Sequence, residues 1–214
     1  SHGLLEYDGV SWRLHPLHKS KIARSLAISA DERIFVGGMG EIGYLEPDAS
    51  RQLRYVSLLP YIGEAYLDFM DVWQTFATPD GIFFITPKYL FRWNGQRMNV
   101  WPAQTTFQFG FWVNDQLYVR QGEIGLMQFV SDSLQIAPQG KQLADEPISA
   151  MLPFNSPGKK QILIATLNKG LLLYDGLSIQ RFATGADELL IRAKISSAIT
   201  LANGQYAIGT MQDG

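Results

Sequence analysis

There is no cysteine among the 214 residues. That removes disulfides, thiolate metal sites and cysteine nucleophiles. It leaves the compartment open, because an exported domain that avoids mispairing and a cytosolic one both fit. Histidine is nearly as scarce: His2, His15 and His18 are the whole complement, and all fall within the first 18 residues. His15-Pro16-Leu17-His18 has i, i+3 spacing, but Pro16 disfavours a helix through it. With no third ligand nearby, the segment reads as a surface loop and no metal site is expected. Charged residues make up only 18%, below the usual proportion of about a quarter. The net charge of −2 and a pI near 5.9 give no electrostatic footprint for nucleic acid. No apolar run approaches the ~18 residues of a membrane helix. Ser1-His2-Gly3 lacks the basic and apolar regions of a signal peptide. Neither nucleic-acid binding nor membrane insertion is therefore expected of this chain. Gly37-Gly38-Met39-Gly40 lacks the Gly-Lys-Ser/Thr of a phosphate loop and reads as a turn that needs small residues. A serine nucleophile elbow is also absent, and no cofactor is expected.

What is present is apolar and aromatic: 46% and 12% of the residues. With so little charge, that balance fits an all-β protein better than a helical one. Gly170-Leu171-Leu172-Leu173-Tyr174-Asp175-Gly176 recurs near the N-terminus as Gly3-Leu4-Leu5-Glu6-Tyr7-Asp8-Gly9. Leu and Tyr suit a half-buried strand, and Asp-Gly is a tight-turn signal. Around this marker the chain divides into repeated sets of four strand-like pieces. The first set is 23–28, 34–37, 42–45 and 53–58. The second is 71–77, 82–85, 89–93 and 98–101, with a turn at Pro79-Asp80-Gly81 and a type I′ hairpin expected at Asn94-Gly95. The third is 107–113, 117–119, 125–130 and 134–137. The fourth is 148–154, 162–166, 170–175 and 179–183. Residues 187–192 can form one helical turn. A fifth set has only its first two pieces, 195–201 and 206–210. Its missing third and fourth stand at the N-terminus, 3–7 and 11–14. Gly9 and Gly176 are 167 residues apart, four repeats of roughly 42, which is the period of a propeller blade.

The pattern predicts an all-β fold in one domain, residues 1–214: a β-propeller of about five four-stranded blades, four complete and the fifth shared between the termini. A β-sandwich can use the same strands but gives no reason for the period. Gly3 already lies inside the motif, and Gly209-Thr210-Met211-Gln212-Asp213-Gly214 stops inside one. The chain is therefore expected to be a fragment of a larger propeller. Either Leu4-Leu5 pairs with Ala207-Ile208 within one chain, or open edges invite pairing with another.

Ile162-Leu163-Ile164-Ala165-Thr166 with Gly170-Leu171, Tyr206-Ala207-Ile208-Gly209-Thr210, and the looser Ile34-Phe35-Val36-Gly37-Gly38 together resemble the two-component regulator propeller repeat. The resemblance runs over essentially the whole chain. It implies a sensor module in the periplasm or outside the cell, part of a membrane-anchored bacterial signalling protein. In that family the propeller is followed by a β-sandwich with a triple-tyrosine motif. A membrane helix then leads to a histidine kinase, a cyclase or a DNA-binding domain. Some of the family's ligands are oligosaccharide fragments, and its propellers commonly have more than five blades.

In such a fold, the loops between second and third strands and the connections between blades emerge on one face, where function concentrates. The expected ligand-binding residues are Arg24, Trp73, Arg120, Gln121, Glu123, Asn168 and Lys169, with Phe107 as an aromatic neighbour. Aromatic faces beside planar polar groups suit a sugar or another small polar ligand. Asp68 and Asp71 can be weighed as an acid–base pair, but their spacing does not fix a distance, and no catalytic residue is expected. The leading reading is a non-enzymatic extracytoplasmic sensor. The alternatives are a protein-interaction scaffold and a propeller enzyme of lyase or glycosidase type.

Overall fold

The computed structural model describes residues 3–18, 22–156 and 159–212. In chain order the strands are β1 (Leu4–Tyr7), β2 (Trp12–His15), β3 (Ala23–Ile28), β4 (Ile34–Gly38), β5 (Glu41–Pro47) and β6 (Leu53–Ser57). Next come β7 (Gln74–Thr78), β8 (Gly81–Ile85), β9 (Tyr89–Trp93), β10 (Met98–Pro102), β11 (Phe107–Val113), β12 (Gln116–Gln121), β13 (Gly125–Val130) and β14 (Ser133–Ile136). The last are β15 (Ile148–Ser156), β16 (Lys159–Thr166), β17 (Leu171–Tyr174), β18 (Ile179–Arg181), β19 (Ile195–Thr200) and β20 (Tyr206–Thr210). One helix, α1 (Asp187–Ala193), stands between β18 and β19, where the sequence allowed a helical turn. Short 3-10 turns at Leu59–Tyr61, Glu64–Tyr66 and Gly140–Leu143 lie in the connections and break no strand.

Four sheets each contain four strands in sequential antiparallel order: sheet I (β3 to β6), sheet II (β7 to β10), sheet III (β11 to β14) and sheet IV (β15 to β18). This is the repeat read from the sequence, and it makes a propeller-like all-β fold. The chain divides into two compact units, Ser1–Phe107 and Gln108–Gly214.

The fifth set is present as its two halves. β1–β2 and β19–β20 are two separate two-stranded sheets, and no closed sheet forms among the described strands.

The second strand of each sheet carries the burial. Val36, Phe84, Ile85, Val119 and Ile164 are fully enclosed. A strand between two others, with sheets on both faces, has no solvated side, so its sequence is a continuous apolar run. In the first unit, Phe35 and Ile42 of sheet I pack with Phe84 and Phe91 of sheet II. In the second, Tyr118 and Leu126 of sheet III pack with Ile164 and Tyr174 of sheet IV. Each such side chain contributes about 1.5–3 kcal/mol by leaving water.

Asp-Gly and Asn-Gly act by one device. Asp175 Oδ1 accepts from the backbone N–H groups of Leu177 (2.9 Å) and Ser178 (2.7 Å), and Gly176 takes a φ of 90°. Asp8 does the same with Val10 (2.9 Å) and Ser11 (2.7 Å), beside Gly9 at 95°. Asn94 repeats it with Gln96 (3.0 Å) and Arg97 (2.9 Å), beside Gly95 at 95°. Asn94 itself is not at positive φ, so the expected type I′ turn does not form there. Both residues of the Asn114-Asp115 and Ser131-Asp132 loops are at positive φ, so type I′ geometry falls at those two hairpins instead.

Candidate functional site

The seven expected binding residues fall into two groups, one in each unit. Arg24 and Trp73 belong to the first. The β3–β4 register skips Arg24, passing from Ala23↔Gly38 to Ser25↔Gly37. Such a bulge re-aims its extra side chain. Arg24 Nε donates to Asp71 Oδ1 at 2.7 Å, and its guanidinium carbon lies 5.3 Å from the centre of the Trp73 ring. Trp73 keeps 44% of its surface exposed, and Met39 and Met70 beside this connection are exposed as well. The connection itself is fixed. Gly40 N donates to Met70 O, Val72 N to Gly38 O, and Met39 bridges to Asp71. This is a half-exposed indole ring with a cation lying over it, held on a rigid turn. It can stack on a flat or partly apolar ligand while the guanidinium takes an acceptor.

Asp68 and Asp71 do not form an acid–base pair. Asp71 is held by Arg24, while Asp68 takes Lys88 Nζ at 2.5 Å and the Tyr89 hydroxyl at 2.6 Å. The Lys88 and Tyr89 hydrogen bonds hold the Asp68 carboxyl below the usual carboxylate range. A carboxylate already stabilised as an anion is a poor proton acceptor at neutral pH.

In the second group, Arg120, Glu123, Asn168 and Lys169 converge on one segment, residues 139–147. Arg120 is 3% exposed. Its Nη2 donates to Ala144 O at 2.5 Å, its Nε to Leu143 O at 3.4 Å, and its Nη1 to Gln108 Oε1. Burial pulls its pKa below the ordinary value, partly offset by Asp145 and Glu146. The fork is thus engaged by backbone carbonyls of its own chain and by Gln108. Gln121 is buried too, and its carbonyl accepts from Ile124 N. Glu123 is exposed, but its backbone N–H is tied to Ala144 O at 3.1 Å.

Asn168 and Lys169 are exposed on the β16–β17 loop. Asn168 N donates to the buried Glu146 Oε1 at 2.6 Å, and Lys169 Nζ reaches Gln142 O at 3.2 Å. Phe107, expected as an aromatic neighbour, is buried, and its N–H donates to Pro87 O. The loops do converge, but their polar groups fasten the sheet III–sheet IV connection to its neighbours. Only Glu123, Asn168 and Lys169 keep side chains in solvent.

Two buried groups escaped the sequence reading. Glu41, which falls between the strand-like pieces 34–37 and 42–45, is fully enclosed and accepts from the Ser57 hydroxyl (2.6 Å) and the Tyr55 hydroxyl (3.0 Å). Burial, followed by the Glu41 carboxylate, pushes the Tyr55 phenol far up. His15, taken for a surface loop residue, is buried with Nε2 2.7 Å from Glu6 Oε2. It pairs with Leu4 at the end of the β1–β2 ladder, one residue beyond the strand-like piece 11–14.

An open groove of about 610 Å³ beside His15, His18, Arg54 and Tyr55, and another of about 570 Å³ at Thr184 to Arg192, include none of the seven expected residues. Among the described residues no group of three His, Asp or Glu is placed to hold a metal ion. Among the described residues no helix is long and apolar enough to cross a membrane.

No family model matches the chain, and no curated protein matches it. Solved structures do. One is the extracellular domain described as that of a hybrid two-component system from B. thetaiotaomicron. It is 16% identical with a TM-score of 0.53, and the match covers 98% of this chain and 35% of that one. This chain thus spans about a third of that structure's length. A second is a gluconolactonase from Xanthomonas campestris, 15% identical with a TM-score of 0.48, covering 91% of this chain and 71% of that one. The first likeness is one of fold, and the second is too distant to bear on this chain.

Proposed function

We propose that this chain is a non-catalytic binding module that senses a small polar ligand outside the cytoplasm, as part of a longer bacterial signalling protein. The observation that carries this reading is the exposed Trp73 ring with the Arg24 guanidinium beside it, fixed by a bulge and a hydrogen-bonded turn. The repeat resemblance supports the signalling context. The fold likeness to an extracellular domain is in keeping with it. An oligosaccharide fragment is the ligand class that a half-exposed indole and a planar cation suit best.

The test is a thermal-shift screen of the chain against oligosaccharides, repeated with Trp73→Ala. A stabilising glycan should lose about tenfold or more in affinity in the variant, which is about 1.4 kcal/mol. No stabilisation by any glycan favours a scaffold instead.

A further inference from the structure

Sheet I borders two open grooves of opposite charge. One, of about 430 Å³, is lined by Asp31, Glu32 and Glu46 against a single Arg33. The other is the groove of about 610 Å³ where the β1–β2 hairpin meets β6, and no carboxylate lines it. Residues 13–18 supply Arg13, His15 and His18 to its wall, and residues 52–55 supply Gln52, Arg54 and Tyr55. Both segments belong to the first unit. We infer that this second groove binds a small organic anion, whose phosphate, sulfate or carboxylate group is taken by Arg13 and Arg54.

The strand ladders single out the same place. Glu6 lies opposite Arg13 in β1–β2, and Glu46 lies opposite Arg54 in β5–β6. The third and fourth strands of sheets II, III and IV pair no Glu with an Arg. Among the described strands, then, cross-strand Glu–Arg pairs stand only beside this groove. Neither carboxylate uses up its cation. Glu46 Oε1 takes Arg54 Nη2 at 2.5 Å and leaves the other donors of a side chain that is 64% exposed. Glu6 Oε2 is 3.8 Å from Arg13 Nη1, past hydrogen-bond reach, and already holds His15 Nε2 at 2.7 Å. Exposed pairs of this kind contribute little to stability, but they fix where a guanidinium sits. A planar fork held this way matches an oxyanion through two parallel hydrogen bonds.

The rest of the lining suits an organic molecule rather than a bare ion. Leu14, Pro16 and Leu53 add apolar surface. The Tyr55 hydroxyl is turned inward to Glu41, so its ring forms wall, with the His18 ring tilted against it at 5.8 Å. The volume lies within the range of small-molecule sites, about 300–1,000 Å³. The groove shares no residue with the Arg24–Trp73 site, and this inference does not rest on that reading.

Isothermal titration calorimetry with glucose 6-phosphate, glucose 6-sulfate and glucuronate, each against neutral glucose, tests the site and separates the three head groups. Parallel titrations on Trp73→Ala remove any contribution from the other site. At least one anionic sugar should bind Trp73→Ala as it binds the unmodified chain, and more tightly than glucose does. Arg13→Gln and Arg54→Gln should each weaken that binding about tenfold or more. Both side chains are at the surface, so the variants should keep the wild-type thermal midpoint. Arg33→Gln, in the acidic groove, should leave the affinity unchanged. Three results each overturn the proposal: no anionic sugar binds Trp73→Ala, glucose binds it equally well, or Arg33→Gln weakens binding as much as Arg13→Gln and Arg54→Gln do.

Discussion

Arg120 separates the binding reading from the structural one, and Arg120→Met is the perturbation that does so. Methionine keeps most of the aliphatic stem and deletes the guanidinium. The structure supplies three hydrogen bonds to lose: Nη2 to Ala144 O, Nε to Leu143 O, and Nη1 to Gln108 Oε1. Charge-assisted bonds are worth about 1.5–3 kcal/mol each, but the three will not add. Gln108 is exposed and can turn to water. Leu143 O keeps Glu146 N, and Ala144 O keeps Glu123 N. Arg120 also recovers its own desolvation cost when removed. The loss should be about 2–4 kcal/mol, with the Ala144 bond the largest share. In a unit of this size, Gln108–Gly214, at about 4 °C per kcal/mol that lowers its thermal midpoint by roughly 8–16 °C. Calorimetry is the suitable assay, because the chain forms two compact units and one of them can melt before the other. A midpoint within about 2 °C of wild type, together with lost ligand binding, would falsify the structural role and return Arg120 to the binding surface.

Two further expectations concern backbone devices. The N–H groups of Ser11 and Val10, with the Ser11 hydroxyl, hold the Asp8 carboxyl at about 2, and those of Ser178 and Leu177 hold Asp175 low in the same way. Their folded values are depressed, so their contribution is complete above about pH 4, the unfolded value. It disappears as pH falls through the folded value. Asp8→Asn with Asp175→Asn should flatten the decline of the thermal midpoint between about pH 5 and pH 2; an unchanged decline would count against the turn device. Gly125 closes the β12–β13 loop at a φ of 121°, and a Cβ there would meet the Gly140 carbonyl. Gly125→Ala should cost about 2 kcal/mol or more in urea unfolding, and a neutral result would mean that the 140–143 turn yields easily.

Turn chemistry and strand burial were legible in the sequence because both are local. Ile82 to Ile85 is apolar on every residue, and only a strand covered on both sides tolerates that. Tyr-Asp-Gly marks a hairpin because the carboxylate reaches backbone N–H groups two and three residues on. The repeat placed β9, β11, β13 and β20 at their observed bounds.

The site was legible only as an address. Arg120, Glu123, Asn168 and Lys169 do converge on one connection. What the sequence could not weigh was competition for their donors. Backbone carbonyls in a 3-10 turn leave no trace in residue types, yet they take the Arg120 fork before any ligand can. Arg24 is the opposite case. A one-residue bulge, invisible in the pattern, aims it at Asp71 and Trp73.

The sequence alone determined the four-strand period, the all-β class and the hairpin turns, since each depends on neighbours a few residues apart. Tertiary structure decided which polar side chains are enclosed and which groups engage them. Both depend on what the rest of the chain brings within a few ångströms, and adjacency along the sequence carries no record of that.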